Sequence, residues 1–185
     1  RDRMIPVKPF ALLTATLAAW LLAALPAAAQ DAPQARLQTA PLTIGMHVIQ
    51  AELAITPLQQ QTGMMFRKTM GTNEGMLFVN DEPGLRCFWM RNTLLPLSIA
   101  FIANDGTIVN IDEMQPKTDA SHCSKEPVRF VLEMNAGWFE ERGIAAGAPL
   151  RGIDAELNEL RQRSDALLAQ ETHLRTVVVQ LRAAG

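Results

Sequence analysis

The sequence predicts a mainly β fold: a compact antiparallel β-sandwich or barrel with short helices, followed by a C-terminal amphipathic α-helix. Three observations predict it. Between residues 44 and 152, about six or seven short apolar runs are separated by turn-forming residues roughly every 8–15 positions. The same stretch offers no crossover helix of about ten or more residues, which a parallel α/β sheet needs. From Asp154 to Ala184 there is no Pro or Gly and helix formers dominate.

The elements follow in order. His47 to Ala54 alternates imperfectly between apolar and polar residues, as a half-buried strand does. Thr56-Pro57 opens a short helix: threonine caps the first turn, proline suits the first helical position, and Gln59 completes a capping box. Gly63 ends it as a left-handed cap. Gly75 to Val79 reads as a buried strand, closed by the turn residues Asn80-Asp81-Glu82-Pro83-Gly84. Cys87 to Met90 is another short strand, and Leu97 to Ile102 the next. Asn104-Asp105-Gly106 then turns into Thr107–Ile111, and Asp-Gly between two apolar runs is the strongest hairpin signal in the chain. Val128 to Met134 is a further strand, residues 137–142 form a helical turn stopped by Gly143, and Pro149-Leu150-Arg151 closes the domain. Beyond it Leu160, Leu167, Leu174 and Leu181 recur every seven residues, with Leu157, Ser164, Glu171 and Val178 at the other seam positions. Residues 157–181 therefore read as a helix that either supports weak homo-oligomerisation or is a single amphipathic helix lying on its own domain or fraying in solvent.

Residues 1–29 carry the marks of a secretory signal peptide. Arg1, Arg3 and Lys8 make a basic start, and Phe10 to Leu25 is apolar apart from two threonines. Ala27 and Ala29 are the small residues a signal peptidase accepts, so cleavage after Ala29 is expected. The apolar run of about 16 residues falls short of the roughly 20 that cross a bilayer, so no membrane span is expected after signal removal. Arg1 does not initiate translation, which puts the start at Met4 or upstream. The expected location is periplasmic or secreted. Residues 30–43, rich in Gln, Pro, Ala and Thr, read as a linker to the β domain at 44–152, with the C-terminal helix at 153–185.

Removing the three cations and one carboxylate of residues 1–29 leaves 14 Lys+Arg and 18 Asp+Glu, a net charge of −4. That balance argues against a nucleic-acid partner and against a polybasic membrane contact. Both cysteines, Cys87 and Cys123, lie in the exported part. Outside the cytoplasm two thiols in one small domain usually pair, and a bridge would close a loop of about 37 residues. A Cys-His metal site using His122 and a redox pair are the alternatives, but neither has the usual close spacing. A structural disulfide is the expectation, with no metal and no cofactor.

The chemistry-bearing residues concentrate in Cys87-Phe88-Trp89-Met90-Arg91-Asn92-Thr93. Trp89 offers a flat apolar face, Arg91 a fork for carboxylate or phosphate, and Asn92 and Thr93 further hydrogen bonds. The competing reading puts Trp89 in the core and makes Asn92-Thr93 a turn before Pro96. Among the carboxylates Glu52, Glu74, Asp112, Glu113 and Glu133, the last stands within Val131-Leu132-Glu133-Met134. By alternation it faces solvent, or it is buried against a cation such as Arg67 or Arg91. It is the weak candidate for a catalytic role. No Gly-x-Ser-x-Gly and no phosphate-cradling loop is present. Eight methionines remain after signal removal, soft ligands that suit Cu(I), but most stand among apolar residues, where methionine fills core gaps.

Residues 47–152 resemble a family called domain of unknown function 192. The matching pieces are Gly63-Met64-Met65-Phe66-Arg67, Gly75-Met76-Leu77-Phe78, Phe88-Trp89-Met90-Arg91-Asn92-Thr93, Pro96-Leu97-Ser98-Ile99-Ala100-Phe101-Ile102 and Val131-Leu132-Glu133-Met134-Asn135-Ala136-Gly137. The resemblance implies a small, mainly β domain, often exported, and brings no established reaction. The family often has Glu-Arg where Gln59-Gln60 stand and Asp where Ser98 stands.

The functional expectation is a non-catalytic binding module for a small anionic ligand or an envelope component. Its site residues are Trp89, Arg91, Asn92, Thr93 and Arg67. The alternatives are a hydrolase-like enzyme using Glu133, an assembly protein acting through the C-terminal helix, and copper handling by methionines.

Overall fold

The computed structural model describes residues 32–183. In chain order these form β1 (Thr39–Ile44), β2 (His47–Ala54), α1 (Pro57–Thr62), β3 (Glu74–Gly84), β4 (Cys87–Phe88), β5 (Leu97–Ile102), β6 (Ile108–Met114), β7 (His122–Cys123), β8 (Val128–Asn135), a 3₁₀ turn (Glu140–Arg142), β9 (Leu150–Arg151) and α2 (Ile153–Ala183). The fold is mainly β, as the sequence predicts. Seven strands make one sheet in the order β6-β5-β8-β3-β2-β1-β9, curled into a half-barrel, while β4 and β7 form a separate two-stranded ribbon. The strands pair antiparallel except β2 and β3, which run parallel. A crossover through residues 55–73, containing α1, makes that one departure from the expected antiparallel pattern.

The sheet is covered on both faces. On β3, Leu77 and Val79 join a core with Leu42, Ile49, Leu132 and Trp138, while Met76 and Phe78 join another with Met64, Ile99, Phe101 and Val131. All six residues of β5 are buried. A strand buried on both faces loses the polar-out alternation and reads as a continuous apolar run.

Local signals in the sequence are realised closely. The β5–β6 hairpin turns at Asp105-Gly106, with Gly106 at φ +87° and the Asp105 carboxylate accepting from Thr107 N–H at 2.9 Å. That bond holds the Asp105 carboxyl below its ordinary value. At α1 the capping box forms: Gln59 N–H donates to Thr56 Oγ1, and the Gln59 side chain accepts from Thr56 N–H at 2.9 Å. Gly63 departs from the expected left-handed cap. Its φ is +47° but its ψ is −131°, outside the helical region, and a Cβ there would meet the Phe78 ring at 3.2 Å.

Other boundaries are corrected. The expected linker 30–43 contains most of β1, which Pro41 disguised because proline demotes a strand reading. Upstream of β1 the chain is also tied down: Gln34 Nε2 donates to Gly63 O at 2.9 Å, and Leu37 N–H to Glu52 Oε2 at 2.7 Å. β3 continues through the expected turn to Gly84, with a register shift between Val79 and Gly84. β4 stops at Phe88 rather than Met90, and β6 runs on to Met114. The expected signal peptide lies outside the described residues. Among the described residues no helix is long and apolar enough to cross a membrane.

Candidate functional site

A cavity of about 330 Å³ opens between α1, the end of β3, β4 and the centre of β8. Its wall at β4 is held firmly. Cys87 and Cys123 stand opposite each other in the β4–β7 ribbon, joined by a disulfide with Cα atoms 4.1 Å apart. One residue earlier, Arg86 N–H donates to Ser124 Oγ at 3.0 Å and Ser124 N–H returns to Arg86 O at 2.8 Å. The expected disulfide is therefore present, and it fixes the segment from which Arg86, Phe88 and Trp89 reach the cavity.

The lining mixes apolar Met64, Met65, Phe78 and Phe88 with polar Gln60, Gln61, Asn80 and Thr93, and among the described residues Glu133 is its one carboxyl. Glu133 lies on β8 between Met76 of β3 and Ile99 of β5, only 4% exposed. Phe78, Met64 and Phe88 line the same space, with the Phe78 and Phe88 rings edge to face at 4.9 Å between centroids. The Glu133 carboxyl makes no hydrogen bond or ion pair with any described residue, and burial pushes its pKa up to about 8. Burial therefore favours its neutral form, and the cavity it lines holds no other carboxyl among the described residues.

Arg86 is the one cation on this wall among the described residues. Its Nη2 donates to Glu82 O at 2.8 Å. Its Nε is buried without an acceptor, and Nη1 donates to no described residue. Arg86 and Glu133 do not pair with each other.

The structure brings together only some of the residues singled out in the sequence. Trp89, Thr93 and Glu133 line the cavity. Arg91 does not: its guanidinium stacks over the Trp89 ring at 4.0 Å and its Nε donates to Asp119 Oδ1 at 2.8 Å, on the exposed side. Asn92 sits in a turn at φ +60°, where its carbonyl accepts from Phe66 N–H, so the turn reading holds for it. Arg67 is 8% exposed and makes a two-pronged pair with Glu52 at 2.7 and 2.8 Å. The two cations considered for Glu133 are therefore engaged elsewhere, and the carboxyl is buried without either. His122 Nδ1 lies 2.5 Å from Asp112 Oδ2, away from the cavity wall. Of the methionines, Met64, Met76, Met90, Met114 and Met134 are buried in the two cores.

Arg86, Phe78 and Met64 were missed as site residues. Arg86 had one available signal: it adjoins the cysteine whose bridge stiffens the segment. Phe78 and Met64 had none, because apolar residues in apolar runs read as core.

Comparison with known proteins agrees with this geometry at the level of the fold. The profile of the domain of unknown function 192 family, described as "Uncharacterized ACR", matches residues 40–152. A crystal structure from Sinorhizobium meliloti, described as a "putative transcription regulator", is similar at 36% identity and a TM-score of 0.63, covering 65% of this chain and 98% of that one. A protein of unknown function from Novosphingobium aromaticivorans is similar at 36% identity and a TM-score of 0.62, covering 65% of this chain and 90% of that one. No curated protein sequence matches. The match extends over more than half of the sequence and takes in every strand of the sheet from Ala40 onward, and on that ground the chain belongs to the uncharacterised domain of unknown function 192 family.

Proposed function

We propose that the protein is an exported, non-catalytic binding module whose cavity over Glu133 takes a small anionic ligand or a small piece of an envelope component. The observation that carries this reading is Arg86, which lines the cavity and whose Nε is buried without an acceptor. An unpaired buried donor costs free energy that an incoming carboxylate or phosphate oxygen recovers. The anion contact is assigned to Arg86 rather than Arg91, because Arg91 is already shared between Asp119 and Trp89. Among the described residues the wall carries one carboxyl, which supports binding over hydrolysis, since acid–base hydrolysis at a sugar linkage uses two. Export is supported by the leader pattern of residues 1–29 and by the disulfide. The name given to the S. meliloti relative points to nucleic acid, but a net charge of −4 without the leader argues against that role here. The test is mass spectrometry of small molecules released from the natively exported protein. An anionic compound should be released stoichiometrically from the wild type and not from Arg86→Gln, and equal release from both variants would remove Arg86 from the site.

A second reading rests on α2. Leu167, Leu174 and Leu181 are 67%, 55% and 69% exposed on a 31-residue helix, and their seven-residue spacing fits a partner helix. Ile153 and Leu157 anchor its start against the sheet core. Sedimentation of the full chain against a chain ending at Leu157 tests it: a dimer lost on shortening supports assembly through α2, and identical masses argue against it.

A further inference from the structure

We propose that the ligand of this cavity is zwitterionic, an amino-acid-like molecule whose anionic group meets Arg86 and whose ammonium meets Glu133. This rests on the binding reading above and names its ligand class. A buried carboxyl and a guanidinium line one cavity, and neither is paired with the other. Glu133 has no hydrogen-bond partner among the described residues, and Arg86 keeps Nε and Nη1 without acceptors. They are not paired with each other, so each is available to a separate ligand group.

A buried carboxyl is costly to ionise alone. An ammonium beside it stabilises the ionised form and supplies the donors it lacks. A ligand carrying only an anionic group would leave Glu133 unmatched, and one carrying only an ammonium would leave Arg86 unmatched. Met64, Phe78 and Phe88 on the same lining suit an apolar side chain, beside the amides of Gln60, Gln61 and Asn80. At about 330 Å³ the cavity is at the small end for ligand sites, which fits a single amino acid better than a nucleotide or an oligosaccharide.

The test uses three related probes with the full chain in isothermal titration calorimetry: L-phenylalanine, 3-phenylpropionate, which lacks the ammonium, and phenethylamine, which lacks the carboxylate. L-Phenylalanine should bind about tenfold or more tightly than either single-charge analogue. Glu133→Gln should weaken L-phenylalanine more than 3-phenylpropionate, so the preference between the two falls toward one. If 3-phenylpropionate binds as well as L-phenylalanine, the zwitterion is wrong and the anion-binding cavity stands. Preference for phenethylamine, or no saturation by any of the three, overturns both. The probe comparison on the unaltered protein decides the matter even if Glu133→Gln fails to fold.

Discussion

Replacing Glu133 by glutamine should stabilise the protein at neutral pH and do almost nothing in mild acid. Burial raises the Glu133 pKa from 4.5 in an exposed carboxyl to about 8 in the folded chain. Between those values the folded chain holds a proton that the unfolded chain has released, so stability is full below about 4.5 and is lost as pH rises through 8. The total span is about 5 kcal/mol, at roughly 1.4 kcal/mol for each pH unit. Over the convenient window from pH 5 to pH 7 the wild type should lose about 2.5 kcal/mol relative to Glu133→Gln. With the side chain only 4% exposed, solvent screening does not reduce this figure much. Urea unfolding of both proteins at pH 5, 6 and 7 measures it, and subtracting the variant cancels the titrations the two share. A difference that stays flat across the window, or that grows in favour of the wild type as pH rises, would refute the claim that Glu133 is buried without a partner.

Other expectations follow from the same structure. Cys87→Ser with Cys123→Ser opens a loop of 36 residues' separation and should cost about 3–4 kcal/mol in urea unfolding, with loss of ligand binding because the Arg86–Trp89 wall is released. Glu52→Gln leaves the buried Arg67 guanidinium without its two-pronged partner, so unfolding free energy should fall by about 3–5 kcal/mol. Arg91→Ala should leave both ligand affinity and melting temperature unchanged in calorimetry, because its contacts with Asp119 and Trp89 lie at the exposed surface. Gly63→Ala should lower the melting temperature, because its Cβ would press on the Phe78 ring at 3.2 Å from a backbone with positive φ.

Much of the fold was legible because local chemistry dictates local structure. Asp105-Gly106 and the Thr56-Gln59 box are self-contained signals that need no distant neighbour. The disulfide followed from the expected export and the count of thiols, and the long C-terminal helix from the disappearance of Pro and Gly. What escaped depends on distant parts of the chain. β7 is two residues long and exists as the partner of β4 across the disulfide. Pro41 hid β1, whose pairing with β2 and β9 places it inside the sheet. Glu133 could not be placed by alternation, because β8 is central and the sheet is covered on both faces. The choice of cation was equally hidden. Arg67, Arg86 and Arg91 lie within a short stretch, yet one pairs with Glu52, one lines the cavity and one faces solvent with Asp119. Only the tertiary arrangement separates them.

On the proposed reading Arg86, on the disulfide-fixed wall, receives the anionic group of a ligand seated over Glu133. The most direct measurement is the fluorescence of Trp89, which lines the cavity, during titration with 3-phenylpropionate. Trp138, 2% exposed in the opposite core, is replaced by Phe to leave one reporter among the described residues. A saturable change is expected in the Trp138→Phe protein, weakened about tenfold or more by adding Arg86→Gln and unaffected by adding Arg91→Ala. Loss of binding with Arg91→Ala and retention with Arg86→Gln would contradict it.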